Sequence, residues 1–455
     1  MEVNKTSKPL MRTLDMTQGN SLRLILAFAI PLFIGNIFQQ IYSVVDTMVA
    51  GYTLGDQAIA AIGASSALYG LIINCANGMN NGYGIVVTQA FGAHNEKTMK
   101  QAIAGTLLLN LLVTAVLTSL SLLFLRPMLR FMNTPETIFR QTYTYIAIIC
   151  LGMAATNAYN MFAALLRALG NSRSPLYFLI LSCFLNVVLD VLLVVVIPMG
   201  IAGTAVATVL AQSVSAAFCG LYVWKNYRSI LPEREDFRVP SSILRELVST
   251  GFSMAMMLCV VDLGSVIFQR ANNALGEAII AAHTAARRII QITMQPLGTI
   301  STANSTFVAQ NWGAGKMDRI RSSLKQVIGL QILWSVLACG LIFLFGGTMI
   351  SFTTGSSDQF IIRNAVLSMR IHLLCYPALG VLLCLRTTMQ AMGHKTIPIL
   401  SSCIELAMKI LSACWLIPHF GFLGTCITEP VTWILMMFFL LSAYWAKKDK
   451  LFAAS

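Results

Sequence analysis

Hydrophobic residues run through this chain in long, nearly unbroken stretches separated by short polar segments. A membrane-spanning helix needs about 20 mainly apolar residues. Twelve stretches meet this requirement, approximately 22–50, 57–90, 101–125, 139–166, 175–196, 202–224, 247–271, 278–309, 322–350, 359–390, 397–418 and 423–446. They lack the polar–apolar alternation of outer-membrane barrel strands. The pattern therefore predicts an all-α integral membrane protein with twelve transmembrane helices.

The second half of the sequence repeats the first. A shift of 221 residues aligns 54–64 with 275–285, 87–93 with 308–314, and 200–205 with 421–426. These matches predict an N-terminal six-helix lobe (1–224), a polar cytoplasmic linker (225–246) and a C-terminal six-helix lobe (247–455). Because six is an even number, both lobes have the same topology. Such parallel repeats are related by an axis along the membrane normal and enclose a central cavity.

Composition and charge agree with this interpretation. The chain is 56% hydrophobic and 11% charged, whereas soluble domains carry about 25% charged residues. The net charge of +13 lies mostly in the short segments between helices, which is typical of membrane orientation rather than nucleic-acid binding. With the N-terminus inside, the outer segments hold only Arg126, Arg130, Arg140 and Arg363. We therefore expect a multi-pass protein of the cell membrane with both termini cytoplasmic.

The sequence offers no sign of an enzyme or of a bound cofactor. The stretch GAGK at 313–316 lacks the earlier glycine and the following Ser or Thr of an ATP-binding phosphate loop. The eleven cysteines form no CxxC pair and no metal-ligand spacing. Any transport against a gradient would therefore be driven by an ion gradient.

Two aspartates stand in apolar helices without a basic residue at their depth. A charged side chain at the membrane centre costs about 2.5–3.5 kcal/mol, so Asp46 in helix 1 and Asp190 in helix 5 should face the protein interior. Two carboxylates without an arginine favour a small cation as their partner. A proton is one candidate, because burial and a neighbouring carboxylate both favour a protonated carboxyl group. Sodium is the other, because it prefers oxygen ligands.

Polar residues accompany these aspartates at helical spacing. They are Gln39 and Tyr42 in helix 1, Asn186 in helix 5, Thr204 and Thr208 in helix 6, and Tyr145, Asn157 and Asn160 in helix 4. Residues three or four apart share one helix face. Amide and hydroxyl side chains in membrane helices also serve as plain interhelical hydrogen bonds, and this remains the alternative interpretation.

The C-terminal half carries different chemistry. Glu405 precedes Lys409 by four residues, which predicts an internal ion pair. Asp262 either pairs with one of the arginines of this half or meets a cationic substrate. Met256 and Met257 belong to a methionine cluster that suits varied apolar ligands, or ordinary packing.

Several stretches together resemble the multidrug and toxic compound extrusion (MATE) family of secondary transporters. They are FQQIYSVVD (38–46) after Pro31, LGDQAIAAIG (54–63), VTQAFGA (87–93), NVVLD (186–190) with GTAVAT (203–208), and VAQNWGAGKMDR (308–319). The resemblance covers essentially the whole chain and is greatest to the DinF-like prokaryotic branch. It implies export of organic, often cationic compounds in exchange for protons or sodium.

In that branch the cation site lies in the N-terminal lobe. Carried over by motif, the site would comprise Asp46, Asn186, Asp190 and Thr208. Residues near it would be Gln39, Tyr42, Tyr145 and Asn160.

The resulting expectation is an antiporter that exports cationic or amphipathic organic compounds in exchange for H⁺ or Na⁺. Its partners would be small molecules and membrane lipid, and a pseudo-twofold monomer needs no second subunit to form its cavity. The alternative is a lipid-linked precursor flippase of the same broad superfamily, which the arginines of the second half keep open. An integral membrane enzyme is a further rival, without a catalytic motif to support it.

Overall fold

The structure is a computed structural model, and it describes residues 13–132, 134–354 and 358–452. Every regular element among these residues is helical, and no strand occurs among them. Three of the basic residues that predict the orientation, Lys5, Lys8 and Arg12, lie outside the described residues.

The chain divides into two compact units. The first holds Ile30–Phe252 together with the residues up to Gln18. The second consists of two stretches of the chain, Gly19–Ala29 and the residues from Ser253 onwards. The predicted boundaries at 224 and 247, and the predicted central cavity, stay predictions.

The described residues of the first half form seven α-helices. They are α1 (Ser21–Leu54), α2 (Asp56–Gly92), α3 (Glu96–Phe131), α4 (Glu136–Leu151), α5 (Met153–Ala168), α6 (Arg173–Asp190) and α7 (Ile201–Asn226). A π-helical turn, Val191–Val196, continues α6. Two 3₁₀ turns, Arg228–Ile230 and Arg234–Phe237, follow α7.

In the second half, eight α-helices occur within the part of the chain that the structure describes. They are α8 (Ser241–Asn273), α9 (Glu277–Gly313), α10 (Met317–Thr354), α11 (Gln359–Leu374), α12 (Tyr376–Ala391), α13 (Thr396–Leu411), α14 (Ile417–Phe420) and α15 (Phe422–Phe452). A π-helical turn, Ser412–Leu416, joins α13 to α14.

These helices match the twelve predicted spans. Within the described part of the chain, eight stretches of continuous helix are long and apolar enough to cross a membrane, and eleven spans result when each of three bent pairs is taken as one. The remaining long helix is α9, whose apolar character is interrupted by Arg287 and Arg288. The predicted all-helical fold with twelve spans in two lobes is confirmed.

Two predicted single helices are each divided at a bend into two helices. The stretch 139–166 divides into α4 and α5, which meet at an angle of 49° at Gly152. Val209 of α7 packs so closely there that a Cβ on Gly152 would collide with it. The equivalent bend of 50° separates α11 from α12. Pro377, in the first turn of α12, has no N–H to continue the helix.

The repeat is visible in the backbone. Gly200 and Gly421, which are 221 positions apart, both have positive φ, 63° and 56°, and each directly precedes a helix. The π-helical turns Val191–Val196 and Ser412–Leu416 begin at the same separation. Both halves therefore share local geometry where their sequences differ.

Helix α6 has a buried polar face and an exposed apolar face. Ser182, Asn186 and Asp190 lie on its buried face, whereas Phe184 and Val188 are 70% and 46% exposed. A lipid environment accepts exposed apolar side chains, but polar groups must be satisfied within the protein. The helix therefore turns its few polar side chains towards the rest of the first unit.

Candidate functional site

Two aspartates from different helices meet in the first unit. Asp46 comes from α1, and Asp190 is the last residue of α6. They are 7% and 0% exposed. Their carboxyl groups are close enough to interact with each other. Because a carboxylate only accepts hydrogen bonds, a proton on one carboxyl group or a cation between the two would stabilise this arrangement.

Neither carboxyl group is fully satisfied by the protein. The Oδ1 atoms of Asp46 and Asp190 have no hydrogen-bond partner among the described residues. None of the ion pairs found within that part of the chain includes either aspartate. A buried acceptor without a partner costs about 1–3 kcal/mol. The two free oxygens are therefore suitable ligands for a small cation.

Asn186 and Thr208 connect the carboxyl pair to α7. With the amide of Asn186 oriented to satisfy both its ends, Nδ2 donates to Asp190 Oδ2 (3.0 Å) and Oδ1 accepts from the Thr208 backbone N–H (3.1 Å). Thr208 Oγ1 donates to the Thr204 carbonyl oxygen (3.1 Å) and lies 3.3 Å from Tyr42 Oη. Since the threonine hydrogen is used, the Tyr42 hydroxyl donates to Thr208.

Two further tyrosines lie beside the carboxyl pair. Tyr145 of α4 and Tyr69 of α2 are close enough to Asp46 to interact with it electrostatically. Both rings pack in an apolar cluster with Leu125 and Ile146. The sequence analysis included Tyr145 but missed Tyr69, because an isolated tyrosine in an apolar helix is equally typical of the membrane interface.

Asn157 belongs to a separate polar network. Its Oδ1 accepts from Asn80 Nδ2 (2.7 Å), and its Nδ2 donates to Thr114 Oγ1 (2.5 Å). Asn110 in turn donates to Asn80. The network therefore joins α2, α3 and α5 by interhelical hydrogen bonds. The bend at Gly152 explains why Asn157 and Tyr145, predicted on one helix, lie in different surroundings.

Two other predicted residues are peripheral. Gln39 has an exposed side chain and Asn160 is half-buried. Among the described residues neither makes a hydrogen bond to the carboxyl pair. The structure thus brings together Tyr42, Asp46, Asn186, Asp190 and Thr208, with Tyr145 alongside.

In the second unit Glu405 of α13 and Glu429 of α15 are paired. Lys409 Nζ lies 2.8 Å from Glu405 Oε1, which confirms the predicted ion pair, and 3.0 Å from Ser265 Oγ. Arg287 Nη1 lies 2.7 Å from Glu429 Oε1. The two lobes therefore share a scaffold but differ in chemistry: among the described residues, Asp46 and Asp190 of the first lobe form no ion pair, whereas Glu405 and Glu429 of the second lobe do.

The remaining candidates of the second unit have modest surroundings. Asp262 on α8 is half-buried. Met257 is buried, and its Sδ accepts from Gln390 Nε2 at 3.0 Å. Met256, also on α8, is half-buried. The contact with Gln390 places Met257 in the packing of this unit.

Comparisons with known proteins agree with the fold. The MatE family model matches residues 31–192 and again residues 253–415. The chain is 25% identical over 458 residues to "Probable multidrug resistance protein YoeA" of Bacillus subtilis (strain 168), covering 98% of each chain. It is 26% identical over 325 residues to "DNA damage-inducible protein F" of Escherichia coli (strain K12), covering 68% of each.

A solved structure shares the whole fold. The structure described as "Crystal structure of MATE in the bent conformation" superposes with a TM-score of 0.90 at 18% identity, covering 98% of this chain and 99% of the other. The two matches to the family model fall one in each half of the chain, in agreement with the internal repeat.

Proposed function

The chain belongs to the MatE family of efflux transporters, and we propose that it is an antiporter coupled through the Asp46–Asp190 pair. It exports organic, cationic or amphipathic compounds across the cell membrane in exchange for H⁺ or Na⁺. Both termini are cytoplasmic in this proposal. Resistance proteins among its relatives and the absence of any ATP-binding loop from the sequence support export driven by an ion gradient.

One observation carries the proposal. Two buried carboxyl groups lie close to each other, and each retains an oxygen without a hydrogen-bond partner among the described residues. Two unit charges about 4 Å apart repel by about 4 kcal/mol at an effective dielectric constant of about 20. A bound proton or sodium ion removes this repulsion. Because no positively charged side chain among the described residues pairs with the two carboxyl groups, the site binds a mobile cation instead.

Cation binding is then linked to helix movement. Asp46 lies on α1, which contains Pro31 within its span. A proline removes one backbone hydrogen bond and makes a helix easier to bend. Neutralising the pair allows α1 to repack against α6 and α7. If the repacked state binds substrate less tightly, cation and substrate each weaken the binding of the other by the same factor.

The test is a flux assay in proteoliposomes with an imposed sodium or proton gradient and a fluorescent organic cation. Asp46→Asn and Asp190→Asn should each abolish gradient-driven transport while the protein still inserts. Asp56→Asn, the same substitution at an exposed position at the start of α2, should transport normally.

The gradient that supports transport identifies the coupling ion. Normal transport by either Asp46→Asn or Asp190→Asn would show that the site is assigned wrongly. None of the comparisons favours the flippase alternative.

A further inference from the structure

Two buried histidines line one polar pocket of the second unit. The pocket has a volume of ≈ 150 Å³. His283 of α9 and His372 of α11 contribute to its wall and are 5% and 3% exposed. Histidine changes its charge within the physiological pH range, and the groups that face its two ring nitrogens decide whether it can hold a second proton. The two histidines differ in those groups.

His283 has a hydrogen-bond donor beside one ring nitrogen. Thr425 Oγ1 donates to Asn272 Oδ1 (2.6 Å), so the amide nitrogen of Asn272 faces His283 Nε2 (3.4 Å). Nε2 therefore accepts, and the ring proton lies on Nδ1. A second proton on Nε2 would point at the amide N–H donor, so His283 is stable as a neutral ring.

His372 has hydrogen-bond acceptors beside both ring nitrogens. Its Nδ1 lies 2.8 Å from the Ser368 carbonyl oxygen, which can only accept, so Nδ1 carries a proton. Its Nε2 lies 3.5 Å from Glu429 Oε2. In a neutral ring the lone pair of Nε2 would face the carboxylate, and the two acceptors would repel each other. A proton between Nε2 and Oε2 replaces this repulsion with a charge-assisted hydrogen bond.

The fixed charges around His372 sum to zero. Arg287 of α9 pairs with Glu429 Oε1 at 2.7 Å. Lys409 of α13 pairs with Glu405 of the same helix at 2.8 Å. A proton on His372 therefore raises the net charge of these groups from zero to +1. Burial disfavours this additional charge, whereas the Glu429 carboxylate favours it, and the proton is therefore held reversibly.

Other helices contribute further titratable groups near His372. The Tyr376 hydroxyl of α12 donates to the Ile290 carbonyl oxygen at 2.8 Å. Cys426 of α15 lies beside Ser368. Helix α10 also packs against α11, and it carries no charged residue from position 326 to its end. Glu429 therefore provides the carboxylate against which the proton is held.

We infer that His372 and Glu429 form a proton-binding site in the second lobe. With the proton bound, His372 Nε2 donates to Glu429 Oε2, while Arg287 keeps its contact with Oε1. The site is separate from the Asp46–Asp190 pair. Its proton adds one positive charge to the pocket at low pH, so the second lobe responds to pH by itself. Because the inference concerns proton binding at equilibrium, it does not depend on the proposed antiport.

The test is solid-state ¹⁵N NMR of the purified full-length protein in lipid bilayers, with only its histidines labelled. An unprotonated ring nitrogen resonates far downfield of a protonated one, so the spectrum separates a neutral ring from an imidazolium. The chain has five histidines, and the signals that vanish in His372→Gln belong to His372. At about pH 5 we expect both His372 nitrogens to carry protons, and at about pH 8 only Nδ1. His283 should stay neutral at both pH values.

A matched pair of variants tests the role of the carboxylate. Glu429→Gln removes the negative charge and leaves Arg287 and Lys409 positive. In this variant His372 should therefore stay neutral even at about pH 5. Glu277→Gln, the same substitution at an exposed position at the start of α9, should leave the His372 signals as they are in the unmodified protein.

Trp433 gives a second readout that needs no labelled histidine. Its ring lies 5.7 Å from the His372 ring in an edge contact, and an imidazolium quenches the fluorescence of a neighbouring indole. The Trp433 signal, obtained by subtracting the spectrum of Trp433→Phe, should fall between about pH 8 and about pH 5. In Glu429→Gln this signal should stay constant.

Two results would overturn the inference. They are a His372 ring with the same charge at about pH 5 and about pH 8, or proton uptake by His372 that is unchanged in Glu429→Gln. If Glu429→Gln does not fold, a Trp433 signal of the unmodified protein that stays constant with pH overturns the inference as well. Because neither measurement uses an ion gradient, a failure here is distinct from a failure of the coupling site, which appears only in the flux assay.

Discussion

The Glu405–Lys409 ion pair offers the sharpest test of the energetics of this fold. Lys409 Nζ contacts Glu405 (2.8 Å) and Ser265 (3.0 Å), and the Lys409 side chain is 4% exposed. Replacing Glu405 with leucine leaves a buried ammonium group with one neutral hydrogen-bond partner. Breaking a buried ion pair in this way costs about 3–5 kcal/mol. Because Glu405 is 16% exposed, we expect a loss of about 3 kcal/mol.

The exposed pair Lys100–Glu233 provides the matched comparison. Its N–O distance is 3.0 Å, but the two side chains are 20% and 78% exposed. Exposed pairs contribute about 0.2–1 kcal/mol. Burial therefore predicts a coupling energy at least about threefold larger for Glu405–Lys409, although the distances are nearly equal.

Double-mutant cycles on both pairs measure this difference. The double variant Glu405→Leu/Lys409→Met removes both charges and should recover most of the stability lost in Glu405→Leu. The assay is the free energy of unfolding in a titration with SDS, followed by circular dichroism. Equal coupling energies for the buried and the exposed pair, or a double variant no more stable than Glu405→Leu, would refute the reasoning.

Three further predictions follow from particular contacts. In Gly82→Ala the new Cβ would lie 2.5 Å from the Gly251 Cα, so the free energy of unfolding should fall by about 1–3 kcal/mol in the same assay. In the control Gly84→Ala the new Cβ would meet its nearest atom at 3.7 Å, so this variant should keep its stability. Asn157→Ala should lower stability by about 1–3 kcal/mol and leave the choice of coupling ion in the flux assay unchanged. The double variant Asp46→Asn/Asp190→Asn should be as inactive in gradient-driven transport as either single variant, because residues that act as a unit are not additive. Transport that returns in the double variant would show that the two carboxyl groups do not act as a unit.

Periodicity and length predicted the fold well, because lipid constrains helices so strongly. A helix that crosses a membrane must be long and apolar whatever its neighbours are. The twelve spans could therefore be located from local sequence alone. The bend at Gly152 was not predicted, because it depends on the close approach of Val209 from α7, and no local pattern shows which helix will pack there.

Part of the candidate site was also predictable. Asp46 and Asp190 stand out as carboxylates in apolar helices, and Asn186 and Thr208 follow from the family motif. Their contacts agree with this grouping. Whether the group couples a cation to transport stays a prediction until the flux assay is done.

Asn157 shows where such reasoning fails. Its residue type and depth resemble those of Asn186, but its partners are Asn80 and Thr114. An amide in a membrane helix finds whichever polar group the packing brings near. Similarly, the sequence did not predict a partner for Glu429. In the structure, Arg287 Nη1 lies 2.7 Å from Glu429 Oε1 and His372 Nε2 lies 3.5 Å from Glu429 Oε2.

The sequence by itself determined the membrane class, the helices, the repeat and the presence of carboxylates that need a partner, because each of these depends on residues close together in the chain. Only the tertiary structure decided which partner each polar side chain meets. Asp190 meets Asp46, whereas Glu405 meets Lys409. The physical reason is that the energy of a buried charge depends on atoms within a few ångströms, and in the first lobe these come from helices far apart in sequence.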